Sequence, residues 1–126
     1  MQFKPADSDY TSNWGVQVGV NAKDPKAAIG TAYKTITISV SGSPTTGLRA
    51  IVHRSGDPDP TSYCAAMTPD TAIDLTTFNS KCWDSTGDNL TAADTANIDQ
   101  VSVQVTSSDT AIPVSSLCLT KIAFGN

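Results

Sequence analysis

At 126 residues the chain has the length of one ordinary domain, enough for a single sizeable core and too little for two. Charged residues make up 16%, against ~25% in an average soluble protein, and the net charge is -4 with no cluster of Lys and Arg, which excludes a nucleic-acid footprint or an anionic-membrane patch. No apolar run reaches the roughly 18 residues of a membrane span, and the N-terminus lacks the apolar core of a signal peptide.

Stretches of alternating apolar and polar residues recur between turn clusters, the period-two pattern of half-buried strands. Val16, Val18 and Val20 alternate with Gln17, Gly19 and Asn21. Residues 24–28 hold at best a single helical turn. Ile36, Ile38 and Val40 then alternate with Thr35, Thr37 and Ser39, up to a turn expected at residues 41–46. Leu48, Ala50 and Val52 alternate with Arg49, Ile51 and His53, and that strand ends in Gly56-Asp57-Pro58-Asp59-Pro60.

A fourth strand is expected over residues 63–67 and a fifth over residues 71–75. After another single helical turn around residues 92–96 comes a sixth strand, in which Val101, Val103 and Val105 alternate with Ser102, Gln104 and Thr106. The last covers residues 117–124. Each sheet built from such strands has one apolar face that a second layer must cover, so the pattern predicts an all-β, two-layer antiparallel β-sandwich, residues 1–126 forming a single domain. Jelly-roll and immunoglobulin-like connections give the same pattern.

The three cysteines, Cys64, Cys82 and Cys118, lack the C-x-x-C spacing of a zinc site, and the one histidine adds at most one ligand. A disulfide between Cys64 and Cys82, with Cys118 a buried thiol, suits an oxidising compartment. The alternative is three reduced core cysteines, since a buried thiol behaves as a small hydrophobe.

Catalytic equipment is sparse. Glycoside hydrolysis needs two carboxyl groups of unequal pKa, one usually in an apolar cleft. The chain has no Glu, and its 12 acids are Asp, mostly in turn-forming surroundings. Asp7 with Asp9 and Asp57 with Asp59 are the only D-x-D pairs; they read as solvated loop first, and as metal ligands or a catalytic pair second. His53 would have to serve any Ser-His-Asp triad, and no G-x-S-x-G elbow presents a serine to it. The expectation is therefore a protein that is not an enzyme. Asn89-Leu90-Thr91 is a glycosylation sequon, relevant only in a eukaryotic secretory pathway.

Three segments, taken in order, resemble a known family. They are Asn13-Trp14-Gly15 leading into a strand; Tyr63-Cys64-Ala65 followed by Ile73-Asp74-Leu75, Phe78 and Cys82-Trp83-Asp84; and residues 98–105 followed by a closing strand ending in Phe124. Together they resemble the jelly-roll carbohydrate-binding modules attached to cellulases and hemicellulases, and most closely the small glucan-binding modules of carbohydrate-binding module family 81. The likeness runs from about residue 10 to residue 124.

It implies a secreted, monomeric, non-catalytic module, fused to a glycoside hydrolase in the full-length protein. Such a module recognises β-glucan chains of plant cell-wall polysaccharide (β-1,4-glucan, xyloglucan or mixed-linkage glucan) on its concave sheet. Neither nucleic acid nor membrane is implied as a partner. No cofactor is required; relatives often carry a structural calcium beside an acidic pair before the last apolar residues, and Thr120 with Lys121 in that place puts a metal site in doubt.

Sugars offer flat C–H faces to aromatic rings and hydroxyls to planar polar groups. Counting outward positions selects Arg49 and His53 on one strand, Tyr63 on the next and Gln104 on a third; in the resembling modules these strands share the concave sheet. For Arg49 and Gln104 the plain alternative is a solvated sheet face, and for His53 a cap on the following turn. Trp83, just past Cys82, is expected at the sheet edge as a ligand contact held there by the disulfide, with a lid over the core as the alternative. Trp14 reads equally as a sugar platform or as a plug over one end of the sandwich. Tyr33 reads as structural, opening a strand of the opposite, convex sheet. Two rival readings are a β-sandwich adhesin or protein-interaction domain, and a small hydrolase using an Asp pair.

Overall fold

The computed structural model describes residues 2–3, 15–21, 27–58, 61–106, 112–113 and 115–126. Trp14, Asp7, Asp9 and Asp59 lie outside the described residues. Among the described residues nine strands follow in chain order: β1 (Gln2–Phe3), β2 (Gly15–Asn21), β3 (Thr35–Ser43), β4 (Leu48–Arg54), β5 (Tyr63–Met67), β6 (Ile73–Asp74), β7 (Ile98–Thr106), β8 (Ile112–Pro113) and β9 (Ser115–Gly125).

One sheet has four strands in the order β2-β7-β4-β5 and a second has three in the order β6-β3-β9, while β1 and β8 form a small pair of their own. Every neighbouring pair is antiparallel. The chain is thus an all-β sandwich, as the alternation requires. It passes from one sheet to the other between β2 and β3, β3 and β4, β5 and β6, β6 and β7, and, by way of β8, between β7 and β9. Distant strands therefore become neighbours, β2 with β7 and β3 with β9.

The core lies between the sheets and is built by parity. From the four-stranded sheet come Leu48, Ala50 and Val52; Tyr63, Ala65 and Met67; and Val101, Val103 and Val105. Ile36 and Ile38 face them from β3, with Leu117, Leu119, Ile122 and Phe124 of β9 packed against the cluster. Fully burying one such side chain contributes roughly 1.5–3 kcal/mol. Tyr33, two residues before β3, stacks on Phe124 at 5.4 Å between ring centroids.

Local chemistry adjusts several expected boundaries. β3 continues to Ser43, and Gly47, at φ +68°, makes the turn into β4. The expected fifth strand shrinks to two residues. Asp74 accepts hydrogen bonds from the Thr76 N–H (2.9 Å) and hydroxyl (2.8 Å), and so starts a 3-10 turn at Leu75–Thr77 instead. A second 3-10 turn, Asp94–Asn97, leads into β7. Among the described residues no helix is long and apolar enough to cross a membrane.

Cys64 and Cys82 are joined, their Cα atoms 5.5 Å apart. Cys118 is exposed, which corrects the expected buried thiol. The cause is strand parity. Leu117 and Leu119 pack on the core, so Cys118 between them points outward. Ellman's reagent should therefore titrate one thiol in the native protein without denaturant; zero thiols before unfolding would return Cys118 to the interior, and three would remove the disulfide.

Candidate functional site

The same parity that fills the core decides what the four-stranded sheet shows on its other face. Arg49 of β4 lies between Gln104 of β7 and Ala66 of β5. The next row holds Ser102, Ile51 and Cys64, and the one after it pairs His53 with Gln100. β2 extends the three rows with Gln17, Gly19 and Asn21. Strands spaced by about 4.8 Å put β2 and β5 roughly 14 Å apart. Arg49 and Gln104, selected from the sequence, are thus direct cross-strand neighbours, both half-buried. In the middle row Ser102 is buried, and a Cβ on Gly19 would collide with its Oγ, so glycine is needed there.

Tyr63 does not share this face. It pairs with Val52 and points with it into the core, because its successor Cys64 takes the outward place opposite Ile51. The Arg54 guanidinium lies 5.0 Å from the Tyr63 ring centroid and covers it. Arg54 also forks onto Asp57, Nε donating to Oδ2 at 2.8 Å and a terminal nitrogen to Oδ1 at 3.1 Å, and it reaches Asp94 at 3.1 Å. The hydrogen bond to Asp57 raises the arginine above its ordinary pKa, partial burial opposes this, and the charges nearby add to it. Tyr63 is therefore a core residue under a charged lid and not a stacking platform.

His53 is likewise withdrawn from the surface. A bulge in β7 pairs His53 with Gln100 and Arg54 with Ile98, leaving Asp99 as the extra residue beside the imidazole. Nδ1 sits 2.6 Å from Asp99 Oδ1, while Nε2 faces the backbone carbonyls of Asp57 at 3.2 Å and Pro58 at 3.4 Å. The ring, only 5% exposed, fastens the turn that follows β4. Sequence spacing gives no sign of this His-Asp pair, because 46 residues separate the partners. A nucleophile elbow would put a serine hydroxyl at Nε2; here carbonyl oxygens stand there.

Trp83 is 58% exposed, one of two large hydrophobic residues that are exposed among those described. Its loop is built outward from the edge of β5. Asn79 and Cys64 exchange backbone N–H···O bonds of 2.9 Å in both directions, adding a one-residue strand to the sheet, and Asn89 pairs beyond it. Phe78 and Leu90 anchor the two ends of the loop in the core.

Inside the loop, Asn79 Nδ2 donates to Gly87 O at 2.9 Å and to Asn89 Oδ1 at 2.6 Å; its Oδ1 accepts from the N–H of Lys81 at 2.8 Å and of Gly87 at 3.1 Å. Asp84 accepts from the backbone and hydroxyl of Thr86, which hold its carboxyl below the ordinary carboxylate range, the hydroxyl first. The disulfide ties the residue before Trp83 to Cys64, at the β5 end of the middle row. Trp83 thus directly follows a residue cross-linked to the β5 end of the middle row.

Of the sequence-selected residues the structure brings Arg49 and Gln104 together, and Trp83 follows Cys82, which is bonded to Cys64 of the same sheet. Asn79 was missed: a lone Asn among turn residues carries no signal that it will be buried. Among the described residues no three His, Cys, Asp or Glu side chains group as a metal ion would need. Comparison with protein-family models, curated proteins and solved structures finds no match to this chain.

The charged cluster under Arg54 has a pH consequence. Asp94 Oδ2 accepts from the Thr91 hydroxyl at 2.7 Å and faces Arg54, and both hold its carboxyl below the ordinary range, the hydroxyl more strongly. The unfolded chain therefore binds this proton more readily than the folded one. The stability so gained is complete above about pH 4, near the unfolded value, and is lost as pH falls through the lower folded value. Urea midpoints taken between about pH 5 and pH 2 should fall less steeply for Asp94→Asn than for the parent chain; equal slopes would show that Asp94 contributes nothing.

Proposed function

We propose that this chain is a non-catalytic carbohydrate-binding module, of the cellulase- and hemicellulase-associated type that resembles carbohydrate-binding module family 81. Its ligand is a β-glucan chain (β-1,4-glucan, xyloglucan or mixed-linkage glucan) lying on the outer face of the four-stranded sheet. The observation that carries this reading is an exposed tryptophan on an internally hydrogen-bonded loop, cross-linked to the sheet face that bears Arg49 and Gln104. A held indole loses little freedom when a sugar ring stacks on it, and the guanidinium and amide are planar groups suited to paired hydroxyls.

Tyr63 and His53 take no part in direct contact. Their work is at the end of the core and in the turn after β4, where they steady the strand that carries Arg49. The disulfide supports a secreted module working outside the reducing cytosol. Its role would be to hold an attached glycoside hydrolase near its polymer.

Native gels containing xyloglucan, mixed-linkage glucan, soluble cellulose derivative or mannan test the reading. At least one β-glucan should retard the chain, and Trp83→Ala should weaken retention about tenfold, as a hot-spot aromatic does, with the melting temperature nearly unchanged because the ring is largely exposed. Retardation by none of them would favour the rival protein-interaction reading, and release of reducing sugar would overturn the non-catalytic one.

A further inference from the structure

We propose that Asn79 is the positioning residue of the Trp83 platform, and that its buried amide, more than the disulfide, sets the shape of the loop. The proposal rests on the reading of Trp83 as a glycan contact. A side-chain amide has two N–H donors and a carbonyl oxygen with two lone pairs. Asn79, 5% exposed, uses all four, on Lys81, twice on Gly87, and on Asn89. These partners stand on both sides of Trp83 in the chain, so one buried group fixes the outgoing and returning limbs of the loop against each other. The Cys64–Cys82 bond fixes only the outgoing limb, at a single point.

Shape demands the same residue. Aspartate has the oxygens but not the donors, and glutamine would carry the amide one carbon too far. Gly87 is fitted to the amide in turn: a Cβ there would lie 2.8 Å from Asn79 Oδ1 and 2.8 Å from Lys81 N, and would collide with Ser80 Oγ. Ser80 N donates to Asp88 O at 2.9 Å, and Asp88 N donates back to Ser80 Oγ at 3.0 Å, closing the limbs above the amide. Without this cradle Trp83 would have to be ordered as the ligand binds, and immobilising a side chain at that moment weakens affinity by about two- to tenfold.

The test is ¹⁹F NMR on the full chain labelled with fluorotryptophan, without glycan and well below the melting temperature. The resonance lost in Trp83→Phe assigns the signal. In Asn79→Ala that resonance should show markedly faster local motion, and β-glucan retention should fall two- to tenfold. Asn79→Asp, which keeps the two accepted bonds and loses the two donated ones, should be intermediate, and the disulfide-free Cys64→Ala, Cys82→Ala chain should loosen Trp83 less than Asn79→Ala does. If Asn79→Ala fails to fold, Gly87→Ala must loosen the same resonance. Trp83 motion unchanged by loss of the amide, or loosened more by loss of the disulfide, would overturn the proposal. Absence of retention by the parent chain would overturn the glycan reading alone, since Trp83 motion is measured without glycan.

Discussion

The antiparallel registration of β4 on β7 is the constraint on which the rest of the molecule depends. With Ala50 opposite Val103, the apolar residues of both strands face the second sheet, and Arg49 meets Gln104 on the other side. A slip of one residue would exchange the faces, placing a guanidinium and two amides in the core and valines in water. Burial therefore enforces the register. The outer face of the sheet is the remainder of that choice: it consists of whatever the alternation leaves outside once Val101, Val103 and Val105 have gone in.

The register also explains how much of the molecule is legible in its sequence. Alternation predicts β4 almost to the residue and β7 from Val101 onward, since one set of side chains in each is buried and reports the inner face; the first three residues of β7, Ile98 to Gln100, lie outside the expected strand. It fails where the period breaks. The Asp99 bulge adds a residue to β7 and brings a buried carboxylate to His53, and no count of outward positions foresees an insertion. Tyr63 fails for a related reason, because parity must be counted from the partner strand. Cys64 is fixed outward by pairing with Ile51, and Tyr63 is thereby turned in under Arg54. The expectation of a buried Cys118 fails because its neighbours Leu117 and Leu119 already occupy the inner positions.

Side-chain chemistry completes what the backbone pattern begins, at two places. At the end of β4, Arg54 joins the turn at Asp57 to the loop at Asp94 while covering Tyr63, so one cation closes the core and links two connections. Beside β5, Asn79 turns an irregular loop into a supported one. Both are buried or half-buried polar groups with their partners supplied, the condition under which such groups rigidify structure instead of weakening it. Loops on a sheet scaffold are where recognition surfaces are commonly built, and Trp83 is the large hydrophobic side chain this loop leaves exposed.

The claim that joins these observations is that the outer face of the four-stranded sheet, bordered by Trp83, holds a glycan chain. Amide and indole ¹H–¹⁵N spectra recorded during titration with a soluble β-1,4-glucan oligosaccharide test it most directly. The account predicts shifts at the Trp83 indole and at the amides of Arg49 and Gln104, with Ile36 and Ile38 of the opposite sheet unmoved. Shifts confined to β3 and β9, or none at saturating oligosaccharide, would contradict it.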